Sequence, residues 1–482
     1  METHYNSSTK YTEYTSNSND LDIVRTEKYN IIINSVTGGW AEVKDSELAL
    51  LMFGESFYDM NFGEKAYQAG LIKKNGSYIF DLNEVNHSIN KLYMFEFRVT
   101  DMCNLNCIYC SSEACNSNSE RPNLKIAYQW VDRVYEYIKE KKVRSVSIEF
   151  TGGEPLLFTE YLEELINYAS TKFQQITGLN VNYVICTNGT LLEDKHINLL
   201  KKIKNRAIQV SLDGSSEIND KQRPYHSGKG SYDIVTKNID ILRQNNIKVN
   251  TVASVITKDS QDNIPEIAKL ILDIGCEKMT LQPMCQVGRA SREKRLVLDG
   301  KIYVDKIFEA IDQVILPYWK THKRRIFIRN LSITYAYLLK PWRKYMCQRC
   351  PCGSGINIIS TDYKGNVYGC NTGPFDDCTI FGNITDSSFT ECLNSKNAKK
   401  FRNRNLNNIE ECNRCEVKAF CQGGCPKSAL SIYHDINKPG DICEINKYLI
   451  IKAMESLIEE RYPKDMILGM AKSFLFEDVE TI

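Results

Sequence analysis

No stretch of this 482-residue chain is apolar for long enough to cross a bilayer, and its start, Met-Glu-Thr-His-Tyr-Asn-Ser-Ser-Thr, has neither the basic nor the apolar region of a secretion signal. An excess of either charge is also missing. Lys and Arg number 61 against 60 Asp and Glu, spread along the chain, which leaves nothing to follow a nucleic-acid backbone or an anionic membrane. The expectation is a cytoplasmic protein with no nucleic-acid partner and no membrane partner. Histidine is scarce, at 6 residues, so a metal site mixing cysteine with histidine has little to draw on. Cysteine is plentiful, at 18 residues. A reducing cytosol does not keep disulfides, and thiolate-only sites favour iron-sulfur clusters or all-cysteine zinc sites.

Three of the cysteines, Cys103, Cys107 and Cys110, fall in the run Cys-Asn-Leu-Asn-Cys-Ile-Tyr-Cys. Thiolates this close can hold three irons of a 4Fe-4S cube and leave the fourth iron without a protein ligand. An iron with an open position can bind a small molecule and pass it an electron, whereas a fully ligated cluster usually relays electrons.

The first 22 residues, rich in Ser, Thr, Asn and Tyr, read as a disordered tail. Residues 23–90 read as a winged-helix-like α+β unit: a strand over 29–34, a turn at Thr37-Gly38-Gly39, a partner strand over 40–43, helices over 45–53 and 62–72, and a hairpin over 73–81 around Asn75-Gly76. Its second helix has no basic stretch, which counts against DNA and leaves a peptide or structural role. Over 91–322, strands at 92–100, 145–151, 181–186, 207–212, 249–256 and 279–284 alternate with helices at 126–141, 160–176, 194–204, 231–245, 265–274 and 302–319. Such a series makes an α/β fold with a parallel sheet curled towards a barrel and functional residues at the carboxyl ends of its strands. The notable residues fall there. The cysteine triplet follows the first strand, Thr151-Gly152-Gly153-Glu154-Pro155 the second, Cys186-Thr187-Asn188-Gly189 the third and Ser211-Leu212-Asp213-Gly214 the fourth. A bridging region over 323–346, a cysteine-rich domain over 347–450 and a helical segment over 451–482 complete the chain.

This arrangement resembles the radical S-adenosylmethionine (SAM) enzymes, partial (βα)6 barrels of the TIM type whose first loop carries Cys-x-x-x-Cys-x-aromatic-Cys, and the resemblance covers 92–322. It implies that the open iron at Cys103, Cys107 and Cys110 binds the amino and carboxylate groups of SAM. One electron then cleaves the sulfonium to a 5'-deoxyadenosyl radical, which takes a hydrogen atom from the substrate. By the same resemblance Tyr109 packs near the adenine, Gly152 and Gly153 offer main-chain groups to the SAM ammonium, and Glu154 fixes their loop. Ser211 and Asp213 suit the ribose and the methionine end, Arg223 is a partner for the carboxylate, and Asn188 is a further SAM-binding candidate at the same mouth. The fifth strand lacks the glycine and glutamate that some members carry, so adenine contacts through Val255 or Ile256 stay open. An external electron donor such as flavodoxin or ferredoxin is implied as well.

Downstream come Cys352, Gly365-Asn366-Val367-Tyr368-Gly369-Cys370, then Cys412-x2-Cys415-x5-Cys421-x3-Cys425 and Cys443. Taken alone, the last group could be a zinc ribbon. Together they resemble the SPASM extension of radical SAM peptide-modifying enzymes, which binds two auxiliary iron-sulfur clusters. The resemblance implies an outer cluster on Cys412, Cys415, Cys421 and Cys443 and an inner one on Cys352, Cys370 and Cys425, completed by Cys347 or by Cys350. That makes three 4Fe-4S clusters. Cys115, Cys186, Cys276, Cys285, Cys378 and Cys392 are left as small buried or surface thiols. Extra clusters suit a reaction that removes electrons, because a substrate radical becomes a closed-shell product by losing one more. A new carbon-sulfur or carbon-carbon bond in a peptide is such an oxidation.

SPASM enzymes include anaerobic sulfatase maturases and maturases of ribosomally made peptides. In the sulfatase group a carboxylate proposed as the base follows the Gly-x4-Cys cysteine; here that residue is Asn371, which is no base, although Asp376 and Asp377 follow closely. The unit over 23–90 resembles the leader-peptide recognition element of peptide maturases, which captures a precursor by adding a strand to a sheet edge, here near 29–34 or its neighbours. The expectation is a radical SAM maturase whose precursor peptide is held by 23–90 and crosslinked oxidatively. A sulfatase-maturase-like Cys or Ser oxidase and a zinc-stabilised binding protein are the alternatives. No spacing marks the residue that deprotonates the substrate.

Overall fold

The computed structural model describes residues 13–53, 60–79, 92–115, 121–341, 345–373 and 375–472. The first 12 residues of the expected tail, the end of the 23–90 unit with the hairpin arm beyond 79, and the C-terminal segment after 472 lie outside the described residues.

The N-terminal unit consists of β1 (Tyr14–Thr15), β2 (Leu21–Arg25), β3 (Asn30–Asn34), β4 (Trp40–Val43), helices Asp45–Phe53 and Met60–Gln68, and β5 (Lys73–Lys74). β2, β3 and β4 form an antiparallel sheet in that order. Its two faces are both covered: Ile32 packs with Leu48, Leu51 and Ile72 of the unit, while Val24, Ile31 and Ile33 join the core of the main body. Residues 14–22 thus belong to this unit, through β1, a short helical turn at Ser18–Asp20 and the start of β2, where a tail was expected. Tyr14 is 1% exposed and donates its hydroxyl to Glu64 at 2.8 Å. Asn75 and Gly76, at φ 49° and 82°, make the expected turn, yet beyond one bridge from Lys74 to Ser77 the partner of β5 is β1. A pairing across some sixty residues leaves no local periodicity to read.

Six strands follow, each next to its predecessor and parallel to it: β6 (Leu92–Arg98), β7 (Ser145–Thr151), β8 (Asn180–Thr187), β9 (Arg206–Ser211), β10 (Thr251–Ile256) and β11 (Lys278–Pro283). Phe95, Phe97, Ile148, Phe150 and Ile185 on the outward face are fully buried under the intervening helices. Helix Leu124–Lys141 shows how the sequence arranges this. The Asn123 side chain caps it by accepting from the Lys125 N–H, and Ala127, Trp130, Val131, Val134, Tyr137 and Ile138 recur three and four apart as one buried stripe. The alternate strand positions turn inward in register, Glu96 beside Glu149 and Cys186 beside Gln209.

The bridging region holds β12 (Phe327–Ile328), which extends the sheet at β11, and helix Arg329–Leu339, whose Tyr335 and Ala336 are fully buried. At the other edge β13 (Ile358–Asp362) runs parallel to β6 and carries antiparallel β14 (Asn366–Tyr368) and β15 (Gly382–Asn383). The cysteine-rich region thus continues the barrel sheet to ten strands. Helices Cys443–Ile458 and Lys464–Lys472 pack against helix Arg329–Leu339. The N-terminal unit docks on the same side: Trp40 Nε1 donates to the Leu338 carbonyl at 2.9 Å, Lys28 pairs with Glu459 at 2.8 Å, and Lys418 reaches Asp22 at 3.5 Å. Among the described residues no helix is long and apolar enough to cross a membrane.

Candidate active site at the barrel mouth

Four loops are laced together at the carboxyl ends of the strands. Gly152 sits at φ 131°, and a Cβ there would meet the Thr100 oxygen at 2.3 Å; one on Gly153 would meet the Met102 oxygen at 1.9 Å. The glycine pair therefore lets the end of β7 lie directly on the cysteine loop. The N–H groups of Gly153 and Glu154 donate to the Thr100 and Met102 carbonyls at 2.7 and 2.8 Å. With those donors used, carbonyl oxygens are what this turn can offer an ammonium.

Glu154 has no exposure and ties the second loop to the third. Its carboxylate accepts from the Leu156 N–H at 3.0 Å, the Thr187 hydroxyl at 2.8 Å and the Asn188 N–H at 2.7 Å. Burial nevertheless pushes its carboxyl up to about 7. Asn188 in turn donates Nδ2 to Asn104 at 2.8 Å, with the Cys103 sulfur 3.7 Å away.

The fourth loop meets the first through Asp213, which is fully buried. Its Oδ2 accepts from the Tyr109 hydroxyl and from Gln222 Nε2 at 2.8 Å, and its Oδ1 from the Val255 N–H at 3.0 Å. Arg223 donates to the Tyr109 oxygen at 2.7 Å. Asp213 and Arg223 are thus engaged in holding Tyr109, while Ser211 stands half-buried at the end of β9. Gln222, which joins Asp213 to Thr257, was not expected, because nothing in its spacing marks it. Of the two residues left open on the fifth strand, Val255 packs with Cys103, Cys107 and Tyr109, and Ile256 is buried in the main core.

Burial, with the charge of Cys110 adding to it, pushes the Cys103 thiol up to about 12 and the Cys107 thiol up to about 11. Thiols so placed ionise when a cation compensates them, as ligands do. Downstream, electrostatic neighbours divide the cysteines into two sets. Cys352 feels Cys425, Cys370 and Cys347, and Cys347, an exposed residue, feels Cys370 and Cys425. Cys421 feels Cys443, Cys415 and Cys412. Cys350 lies with this second set, since its charge acts on Cys412 and its thiol reaches the Arg404 carbonyl at 3.5 Å. Among the described residues no three Cys, His, Asp or Glu side chains could hold a single metal ion. A 4Fe-4S cluster would give each thiolate of such a set an iron of its own.

Residues 97–271 match the model of the Radical SAM superfamily and residues 350–416 that of an iron-sulfur cluster-binding domain, SPASM. The chain carries a radical SAM domain and a SPASM domain. The radical SAM family uses SAM with a 4Fe-4S cluster, and SPASM domains carry auxiliary iron-sulfur clusters. The chain is 26% identical over 361 residues to a cysteine-type anaerobic sulfatase-maturating enzyme of Clostridium novyi, a match covering 74% of this chain and 93% of that protein. Among solved structures it resembles native anSMEcpe with bound AdoMet, with TM-score 0.65 and 20% identity over 77% of this chain and 99% of that one. It also resembles Streptococcus suis SuiB bound to precursor peptide SuiA, with TM-score 0.53 and 16% identity over 89% of this chain and 99% of that one. A share of 89% exceeds what lies beyond residue 91, so the likeness to SuiB takes in part of the N-terminal unit.

Inside the radical SAM barrel, Glu96 and Glu149 stand side by side on the concave face. Burial, reinforced by Glu149, holds the Glu96 carboxyl up to about 8, and burial raises Glu149 as well. Glu96 Oε2 accepts from the Asn371 N–H at 2.7 Å. A carboxyl therefore lies beside the position where Asn371 replaces the expected base, supplied by β6. The sequence does hold a signal for it: Glu96 and Arg98 are the charged residues in Leu-Tyr-Met-Phe-Glu-Phe-Arg, on alternate positions of an otherwise apolar strand.

Proposed function

We propose that this chain is a maturase that holds a ribosomally made precursor peptide through its leader and installs an oxidative crosslink, a thioether or a carbon-carbon bond. With SAM and iron bound, the radical SAM domain would supply the 5'-deoxyadenosyl radical that abstracts the substrate hydrogen. In this reading Cys103, Cys107 and Cys110 hold the SAM-binding cluster. The carbonyls of Gly152 and Gly153 face the ammonium, Ser211 and Asn188 serve the sugar and the methionine end, and Asp213 and Arg223 act through Tyr109. Cys347, Cys352, Cys370 and Cys425 hold an inner auxiliary cluster, and Cys412, Cys415, Cys421 and Cys443 an outer one, making three 4Fe-4S clusters. An external donor such as flavodoxin or ferredoxin supplies electrons.

The N-terminal sheet carries this reading. Both its faces are packed, so a peptide can join it only along an edge. β3, the strand first expected to receive the leader, is central and has both edges paired; the outer strands β2 and β4 are the available ones among the described residues. SuiB, which shares fold beyond the barrel, was solved with a precursor peptide, as anSMEcpe was with the Cp18Cys peptide. Likeness to the Clostridium novyi enzyme supports the sulfatase-type reading, but that reading gives the N-terminal unit no task.

Anaerobic reconstitution followed by co-expression with a short peptide encoded beside the gene tests the proposal. About twelve irons per chain, reductive cleavage of SAM and a peptide lighter by two hydrogens are expected. A colourless zinc protein inert to SAM, or formylglycine formed on a Cys- or Ser-containing sulfatase peptide, would overturn it.

A further inference from the structure

We infer that the buried ammonium of Lys427 sets the electron affinity of the inner auxiliary cluster and so makes that cluster the acceptor of the electron leaving the substrate radical. The inference rests on the cluster assignment proposed above and deepens it. Lys427 is 1% exposed, a degree of burial that lysine seldom reaches without a charged partner. Its Nζ donates to the carbonyls of Cys370 at 3.1 Å and Thr372 at 2.5 Å, and it lies over the rings of Phe375 and Tyr368 at 4.9 and 5.6 Å. None of the ion pairs among the described residues includes it. Glu96 feels its charge but gives its oxygen to the Asn371 N–H instead. Carbonyl dipoles and ring faces alone are weak compensation for a cation removed from water.

A cluster on Cys347, Cys352, Cys370 and Cys425 would supply a compensating anion. Lys427 stands two residues after Cys425 at the start of helix Pro426–Tyr433, and its hydrogen bonds fall on Cys370 itself and on Thr372. The ammonium is thus fastened to the segments of two proposed ligands of one cluster. A cube held by four thiolates is a net anion and becomes more negative on reduction, so a fixed neighbouring cation favours the reduced form, and local charge is among the factors that set cluster potentials. In a thioether closure the substrate sulfur would bond to the carbon radical, the S–H proton would leave to water, and the one surplus electron would be taken up by the inner cluster held at these cysteines. Lys427 exchanges no proton in this step; it stabilises the added negative charge. A merely structural reading, in which Lys427 only clamps residues 370–372, predicts no change in potential once the loop is held.

Redox titration of the reconstituted full-length protein followed by electron paramagnetic resonance, with dithionite and no peptide, decides between them. Lys427→Met removes the charge, Lys427→Gln removes it but keeps a donor for the loop, and Lys427→Arg keeps it. Both neutral variants are expected to lose at least tenfold in the electron affinity of the inner cluster, a midpoint lower by about 59 mV, with Lys427→Arg near wild type. Neutral variants with wild-type midpoints, or an Arg variant shifted as far as Met, overturn the inference. Loss of the inner cluster in both neutral variants but not in Arg supports it; loss in all three overturns it. Because no peptide is used, a wrong substrate class leaves the titration readable, whereas wild-type protein without auxiliary clusters would overturn the cluster assignment and this inference together.

Discussion

Glu96 sits where a carboxylate is least welcome. Burial and the neighbouring Glu149 raise its pKa, and the Asn371 N–H and the charge of Lys427 oppose the rise without cancelling it. A carboxyl whose pKa is higher in the fold than in the unfolded chain binds its proton more tightly when folded. Its contribution to stability is therefore full below the ordinary value of 4.5 and is lost as pH rises through about 8. Moving from about pH 6 to about pH 9 should lower the unfolding temperature. Glu96→Gln keeps an acceptor for Asn371 and cannot ionise, so it should remove part of that loss; equal pH dependence in the two proteins would contradict this. Gly153 is limited by space instead. A methyl group 1.9 Å from the Met102 oxygen cannot be housed without moving the cysteine loop. Gly153→Ala should cost about 2 kcal/mol by overpacking and slow SAM cleavage at least about tenfold, read by denaturation and by 5'-deoxyadenosine release.

At the scale of elements, the six barrel strands were legible because each repeats one local pattern, an apolar outward row bounded by a turn and an amphipathic helix. The mouth was legible for the same reason, since its cysteine triplet and its Gly-Gly-Glu turn are each contiguous. Glu96 stood out as a charge on an apolar strand, but its partner Glu149 lies on β7; Gln222 and Lys427 carried no mark at all, because what gives them meaning comes from distant segments, Thr257 for the one and the carbonyls at 370 and 372 for the other. β1 was lost in the same way. Its two residues look like tail until β5 is known to pair with them, and the ring of Tyr14 fills the space where a Cβ on Gly63 would meet it at 2.5 Å. Tyr14→Ala should destabilise the N-terminal unit by about 3 kcal/mol through the cavity it leaves. Hydrogen exchange should quicken in residues 60–79 while the barrel strands keep their protection; unchanged exchange there would show that the β1–β5 pair carries no weight.

At the scale of the whole molecule, helix Arg329–Leu339 joins the proposed leader site to the cavity. Its first residue lies by Glu149 and Cys347, and the carbonyl of Leu338 holds Trp40 of the N-terminal unit. Eleven helical residues span about 16 Å, a gap that about five extended residues of a peptide would bridge. A precursor anchored on the sheet edge can therefore place a residue shortly after its leader inside the barrel. The register gives each outer strand a donor that faces away from β3. Asn34 donates to the Gly39 carbonyl and Ile31 faces Glu42, so the Glu42 N–H on β4 points away from β3; on β2, where Thr26 donates to the Tyr29 carbonyl and Ile23 faces Ile32, the Ile23 N–H points outward. Proline at either position deletes an outward donor and no ladder bond. One of Glu42→Pro and Ile23→Pro should weaken capture of the precursor at least about tenfold while SAM cleavage without peptide stays at the wild-type rate, and the variant that does so names the edge. If both variants bind and convert the peptide normally, strand addition is not how this protein holds its substrate.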